Sequence, residues 1–174
     1  MKAAALCLLL AGSAPLLAQQ TCNTASYALS SPSSRFEDNG DGTVTDRASK
    51  LMWLRCSLGQ RWSGGNCVGE VGSHSLRSAQ AAAEELNRRG ELFYNDWRVP
   101  QIHELASIAE RQCDNPRINL GLFPNTPAAY YWTASSRPAQ RDDTSAFALS
   151  FGAGGLRYED KGDAHHVRLV RSAL

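Results

Sequence analysis

The 174-residue chain has no long apolar run, almost no lysine and no surplus of either charge. Lys and Arg total 18, of which three are lysine, against 17 Asp and Glu, so the formal net charge is +1. A field strong enough to gather DNA, RNA or an anionic membrane needs a clear excess of one sign, so those partners are not expected. No stretch approaches the roughly 20 apolar residues of a membrane-spanning helix. The four histidines and five cysteines contain no C-x-x-C pair and no H-x-x-x-H pair, which removes the usual zinc spacings. No G-x-S-x-G elbow is present. Repeats, heptads and low-complexity tracts are also missing.

What is present begins with the first residues. Lys2 gives a positive start, Ala3 to Leu10 a short apolar run, and Ala14 to Ala18 a small-residue end. This is the layout of a secretory signal peptide over residues 1–18, cut between Ala18 and Gln19. Gly12, Ser13 and Pro15 interrupt the run and argue against a membrane anchor. Cys7 stands too early for a lipoprotein. The expected locality is periplasmic or extracellular. Loss of Lys2 with the leader brings the side-chain charge to about zero.

Four cysteines then remain, Cys22, Cys56, Cys67 and Cys113, and an even number in an exported chain reads as two disulfides with three possible pairings. Cys56 and Cys67 flank a Gly-rich stretch that can fold back on itself. The expected bonds are therefore Cys56–Cys67 and, by exclusion, Cys22–Cys113. The short loop should contribute on the order of 2–3 kcal/mol in the chain-entropy account.

Residues 19–34 are polar, without period, and read as an N-terminal arm; residues 35–174 read as one domain. Asn39-Gly40 and Asp41-Gly42 are turn formers between Phe36 and Val44, which predicts a hairpin. An EF-hand reading of Glu37, Asn39 and Asp41 fails because Ala48 stands where the bidentate Glu is needed. Leu51 to Leu54 is a strand. Leu76, Ala79, Ala83 and Leu86 recur at helical spacing between the N-cap Ser75 and the stop Gly90. A second helix is expected from Pro100 or Gln101 to near Cys113, with Ile102, Leu105, Ile108 and Ala109 buried. Residues 114–129 read as a long ordered loop with apolar plugs at Ile118, Leu120, Leu122 and Phe123. Strands follow at Tyr130–Ala134, around Phe147, Leu149 and Phe151, and at Val167–Arg171. Two helices among short strands make an α+β domain with a mostly antiparallel sheet.

Catalytic patterns are near misses. His103-Glu104 has Ser107 where a zinc protease has its second histidine. His165 and His166 are neighbours in an expected strand, point to opposite faces and are read as surface residues. No metal site, cofactor or catalytic residue is expected. Trp53, Trp97 and Trp132 sit in apolar context and are read as core; Trp62, in the Gly-rich loop, is expected to be partly exposed.

Together, Arg35-Phe36, Asp38 to Asp46, Leu51-Met52-Trp53, Asp96 to Pro100 with Glu104-Leu105, Phe123 to Thr126, Tyr131-Trp132 and Val167 to Arg171 form an ordered set. In that order the chain resembles unknown-function family 1566, named for the C-terminal domain of the Legionella collagen-like protein. The resemblance covers about Arg35 to Arg171. It implies a C-type-lectin-like fold and, through it, a relation to the formylglycine-generating enzymes; the collagen-like adhesin's domain binds sulfated polysaccharides. The lectin calcium motif is not matched by Phe123-Pro124-Asn125 or Asn95-Asp96-Trp97, and no cysteine follows Cys113 to supply the reactive pair of the formylglycine enzymes.

The expected function is a non-catalytic binding module for a glycan or an envelope or surface protein. The alternatives are a structural or interaction subunit, a toxin inhibitor, or an enzyme related to the formylglycine-generating proteins. The leading surface is the loop-rich side from Asp114 to Asp143, where Arg137 and Arg141 could bind an anion through paired donors. The disulfide loop with Arg61 and Trp62 is the second.

Overall fold

The computed structural model describes residues 20–25, 28–90, 94–136 and 144–173. The leader and the Arg137–Asp143 segment, with Arg137 and Arg141, lie outside these residues.

The turn signals at residues 39–42 close a hairpin between β2 (Phe36–Asp38) and β3 (Thr43–Asp46). Gly40 and Gly42 sit at φ 81° and 91°, a region that side-chain-bearing residues avoid. The acidic groups of this turn are used internally. Asp38 accepts from Gly40 N and from Arg55, and Asp41 accepts from Thr43 N and Oγ1. β3 pairs with β4 (Leu51–Leu54), and β4 with the last strand, β11 (Val170–Ser172), giving an antiparallel sheet in the order β11-β4-β3-β2. A second antiparallel sheet, β10-β9-β8, is built from β8 (Tyr130–Trp132), β9 (Ser145–Ser150) and β10 (Leu156–Asp160). Two ribbons complete the set: β5 (Arg61–Ser63) with β6 (Asn66–Val68), and β1 (Thr21–Cys22) with β7 (Cys113–Asp114).

Helix α1 (Leu76–Arg89) starts on the Ser75 hydroxyl, which accepts from Ser78 N, and stops at Gly90 in the left-handed region. It buries Leu76, Ala79 and Ala83. Helix α2 (Ile102–Ser107) is shorter than the expected run to Cys113. Glu104 caps it by accepting from Gln101 N, but past Ser107 the backbone turns to other partners. Ala109 forms a bridge with Ile118, and Glu110 N donates to Arg117 O. Leu105 and Ile108 remain buried as expected.

Trp53, Trp97 and Trp132 are core residues. β9 keeps its period of two, yet its fully buried positions include Ala146 and Ala148, whereas Phe147 and Leu149 are half-buried. The alanines lie in a cluster with Trp97, Trp132 and the buried face of α1, where two indoles leave room only for small residues. The closing segment also departs from a one-faced alternation, because Val167, Arg168, Leu169 and Val170 are all fully buried. The fold is α+β and mostly antiparallel, with two α-helices and two disulfides among the described residues. Among the described residues, no helix is long and apolar enough to cross a membrane.

Candidate functional site

Cys56–Cys67 closes the β5–β6 hairpin, with Gly64 and Gly65 at positive φ in its turn. Cys22–Cys113 joins directly opposed residues of β1 and β7 and ties the N-terminal arm to the domain. The arm is held further by Gln20, whose side-chain amide donates to Pro116 O and Ile118 O. Glu110 reinforces it: Ser30 N, Ser31 N and both hydroxyls donate to its carboxylate. Burial alone would raise the Glu110 pKa, but these donors and Gln112 N hold it down at about 2.

The disulfide hairpin and the 114–129 loop, two separate stretches of sequence, meet in space. Asn125 Nδ2 donates to Cys67 O at 2.7 Å and to Asn66 Oδ1 at 3.2 Å. Between them runs an open groove of about 980 Å³. Gln60, Cys67, Val68 and Gly69 form one side, Leu120 and Asn125 to Ala128 the other, and Gln20, Asn115 and Pro116 also line it. Among the described residues, no charged side chain lines it. Its polar groups are mainly amides, set among proline and aliphatic surface.

Two arginines fix the loop that forms this wall. Arg55 Nε donates to Leu122 O and Nη2 to Gly121 O, both at 2.8 Å, while Nη1 pairs with Asp38. Arg168 is fully buried. Its Nη1 donates to Leu54 O and Arg55 O, and its Nη2 to Ser57 Oγ and to Thr126 Oγ1 at 2.7 Å. The guanidinium lies 4.7 Å from the Phe123 ring centre. No carboxylate among the described residues pairs with it. Burial pushes its pKa down to about 10, so it stays cationic at neutral pH. Thr126 thus joins the buried cation to the groove.

Of the expected site residues, Arg61 is exposed on β5, opposite Val68, and makes no ion pair with a described residue. Trp62 is half-buried, packs against the Gly42 turn and has the Arg55 guanidinium 4.1 Å from its ring centre. Its ring is therefore largely engaged within the protein. Neither lines the groove, although both flank it through the β5–β6 ladder. Isolated amides such as Gln20, Gln60, Asn115 and Asn125 carry no sequence signal that would mark them as a group.

The histidine pair needs correction. His165 and His166 are half-buried, not surface residues. His165 bridges to His74 and packs edge-on to Trp132 at 4.7 Å; His166 bridges to Tyr131 and its Nδ1 lies 2.8 Å from Gly72 O. Burial lowers the pKa of His74 and His165.

These features define a small disulfide-tied α+β module with a neutral, loop-built groove. The chain belongs to the Lcl C-terminal domain family, whose model matches residues 42–171. No curated protein matches it.

Proposed function

We propose that the domain is a non-catalytic binding module of the cell envelope or surface, and that its ligand lies in the groove between the disulfide hairpin and the 114–129 loop. Family membership and two disulfides support an envelope or extracellular location. The observation that carries the site is the uncharged groove lining. Its size falls in the range of ligand clefts, roughly 300–1,000 Å³. Side-chain amides offer donors and acceptors to peptide groups and to hydroxyls alike. Proline and aliphatic walls, with no aromatic platform among the described lining residues, suit a segment of an envelope or surface protein best. The amides support a neutral glycan as the second reading. Among the described lining residues, Thr126 is the one that carries a hydroxyl, and it donates to Phe123 O and accepts from Arg168.

Pull-down from a cell-envelope extract, run beside an array of neutral and sulfated glycans, tests this. Binding should persist at about 0.5 M salt, because the described residues that line the groove carry no charge to be screened. Binding confined to sulfated glycans and lost at that salt would move the site to a basic surface and refute the groove.

A further inference from the structure

We propose that Glu159, Asp163 and His165 form a site for one zinc-class divalent cation at the turn that follows β10. Each residue offers one ligand atom, and these atoms all lie within 4.8 Å of one another. The site lies apart from the groove and shares no residue with it.

The arrangement follows from the local chain path. Asp160 starts a tight turn: Gly162 N donates to Asp160 Oδ1 and Asp163 N to Asp160 O, while Asp163 Oδ2 accepts from Asp160 N at 3.1 Å. The chain then pairs with His74 in both directions, His74 N donating to His165 O and His165 N to His74 O. This reversal returns the imidazole to the carboxylates at the end of β10. The ring is held edge-on by Trp132 and lies 5.6 Å from Tyr130. His165 Nε2 is buried and has no hydrogen-bond partner among the described residues. No arginine or lysine among the described residues pairs with Glu159 or Asp163.

One nitrogen and two carboxylate oxygens suit zinc or a similar transition metal better than calcium, which takes six to eight oxygens. Ligand atoms of a tetrahedral zinc, about 2.0–2.1 Å from the metal, stand about 3.4 Å apart, with water as the fourth ligand. Closure on the order of 1 Å is needed, within reach of rotation of exposed Asp163 and half-buried Glu159. Bound metal would clamp the turn to the His74–His165 bridge. It would also hold the start of α1, since Leu76 N donates to Lys161 O.

Calorimetric titration of the disulfide-intact domain with zinc chloride, paired with cobalt(II) absorption, tests the site. One saturable ion per chain is expected, with a raised melting temperature. Asp163→Asn and Glu159→Gln, both outside the core, should each weaken binding at least about tenfold. His103→Ala, on the exposed face of α2, should leave it unchanged. His165→Ala should abolish binding, and the two carboxylate variants decide the matter if it fails to fold. Absence of saturable binding, or binding undiminished in Asp163→Asn and Glu159→Gln, overturns the proposal.

Discussion

Replacing Arg168 with methionine is expected to destabilise the domain by roughly 4 kcal/mol, although methionine fills similar space. The guanidinium serves four acceptors at once: Leu54 O, Arg55 O, Ser57 Oγ and Thr126 Oγ1. Removing it strands the two carbonyls in a closed interior, and each orphaned group costs about 1–3 kcal/mol. Relief of the desolvated charge offsets part of this cost, which keeps the net loss below the sum of the separate bonds. Lysine retains a charge but cannot span all four acceptors, so Arg168→Lys should fall between. Urea unfolding of disulfide-intact protein gives the measurement. Because Thr126 lines the groove, ligand binding should weaken alongside stability. A methionine variant as stable as the parent would mean that the buried cation holds nothing together.

The second large effect concerns acid. Glu110 has an ordinary pKa of 4.5 and is held at about 2 in the folded protein. A depressed carboxylate contributes stability above its unfolded pKa and loses it as pH falls through the folded one. Here that window runs from about 4.5 down to about 2, and the contribution at neutral pH is about 3 kcal/mol. Glu110→Gln should remove a similar amount at pH 7 and flatten this part of the acid limb. Asp46 and Glu104 also contribute to acid sensitivity: burial would raise both, but hydrogen bonds from Arg35 and Arg98 hold them low. The difference between parent and variant isolates Glu110. Urea midpoints measured from pH 7 to pH 3 should converge as pH falls; parallel curves would contradict the account. The loss should appear first in the arm, as faster amide exchange at Ser30 and Ser31.

Local rules made much of the fold legible. Asn-Gly and Asp-Gly mark the first hairpin, and Ser75 and Gly90 bracket α1 where the structure has them. The α2 boundary was not legible, because tertiary bridges from Ala109 and Glu110 take over the backbone that periodicity assigned to a helix. β10 alternates only briefly, over Leu156-Arg157-Tyr158-Glu159, and its five-residue pairing with β9 rather than its own sequence defines it. The site was half legible. Sequence drew attention to the disulfide loop and to the 114–129 loop, but their meeting depends on Asn125 reaching Cys67 across 58 residues. Arg55 and Arg168 look like surface charges in a sequence; only long-range packing shows them as buried anchors. Glu159, Asp163 and His165 fall outside any metal-ligand spacing because a turn and a pairing with distant His74 assemble them.

The groove is tested most directly by filling it. Ala128 is exposed and lines the groove, so Ala128→Trp should block the cleft while changing stability by no more than about 0.5 kcal/mol, as at other surface positions. Affinity for the ligand recovered from the envelope or the array is then measured against the parent protein by calorimetry. Loss of binding with an unchanged melting temperature is the predicted result. Undiminished affinity in a correctly folded Ala128→Trp protein would show that the ligand binds elsewhere.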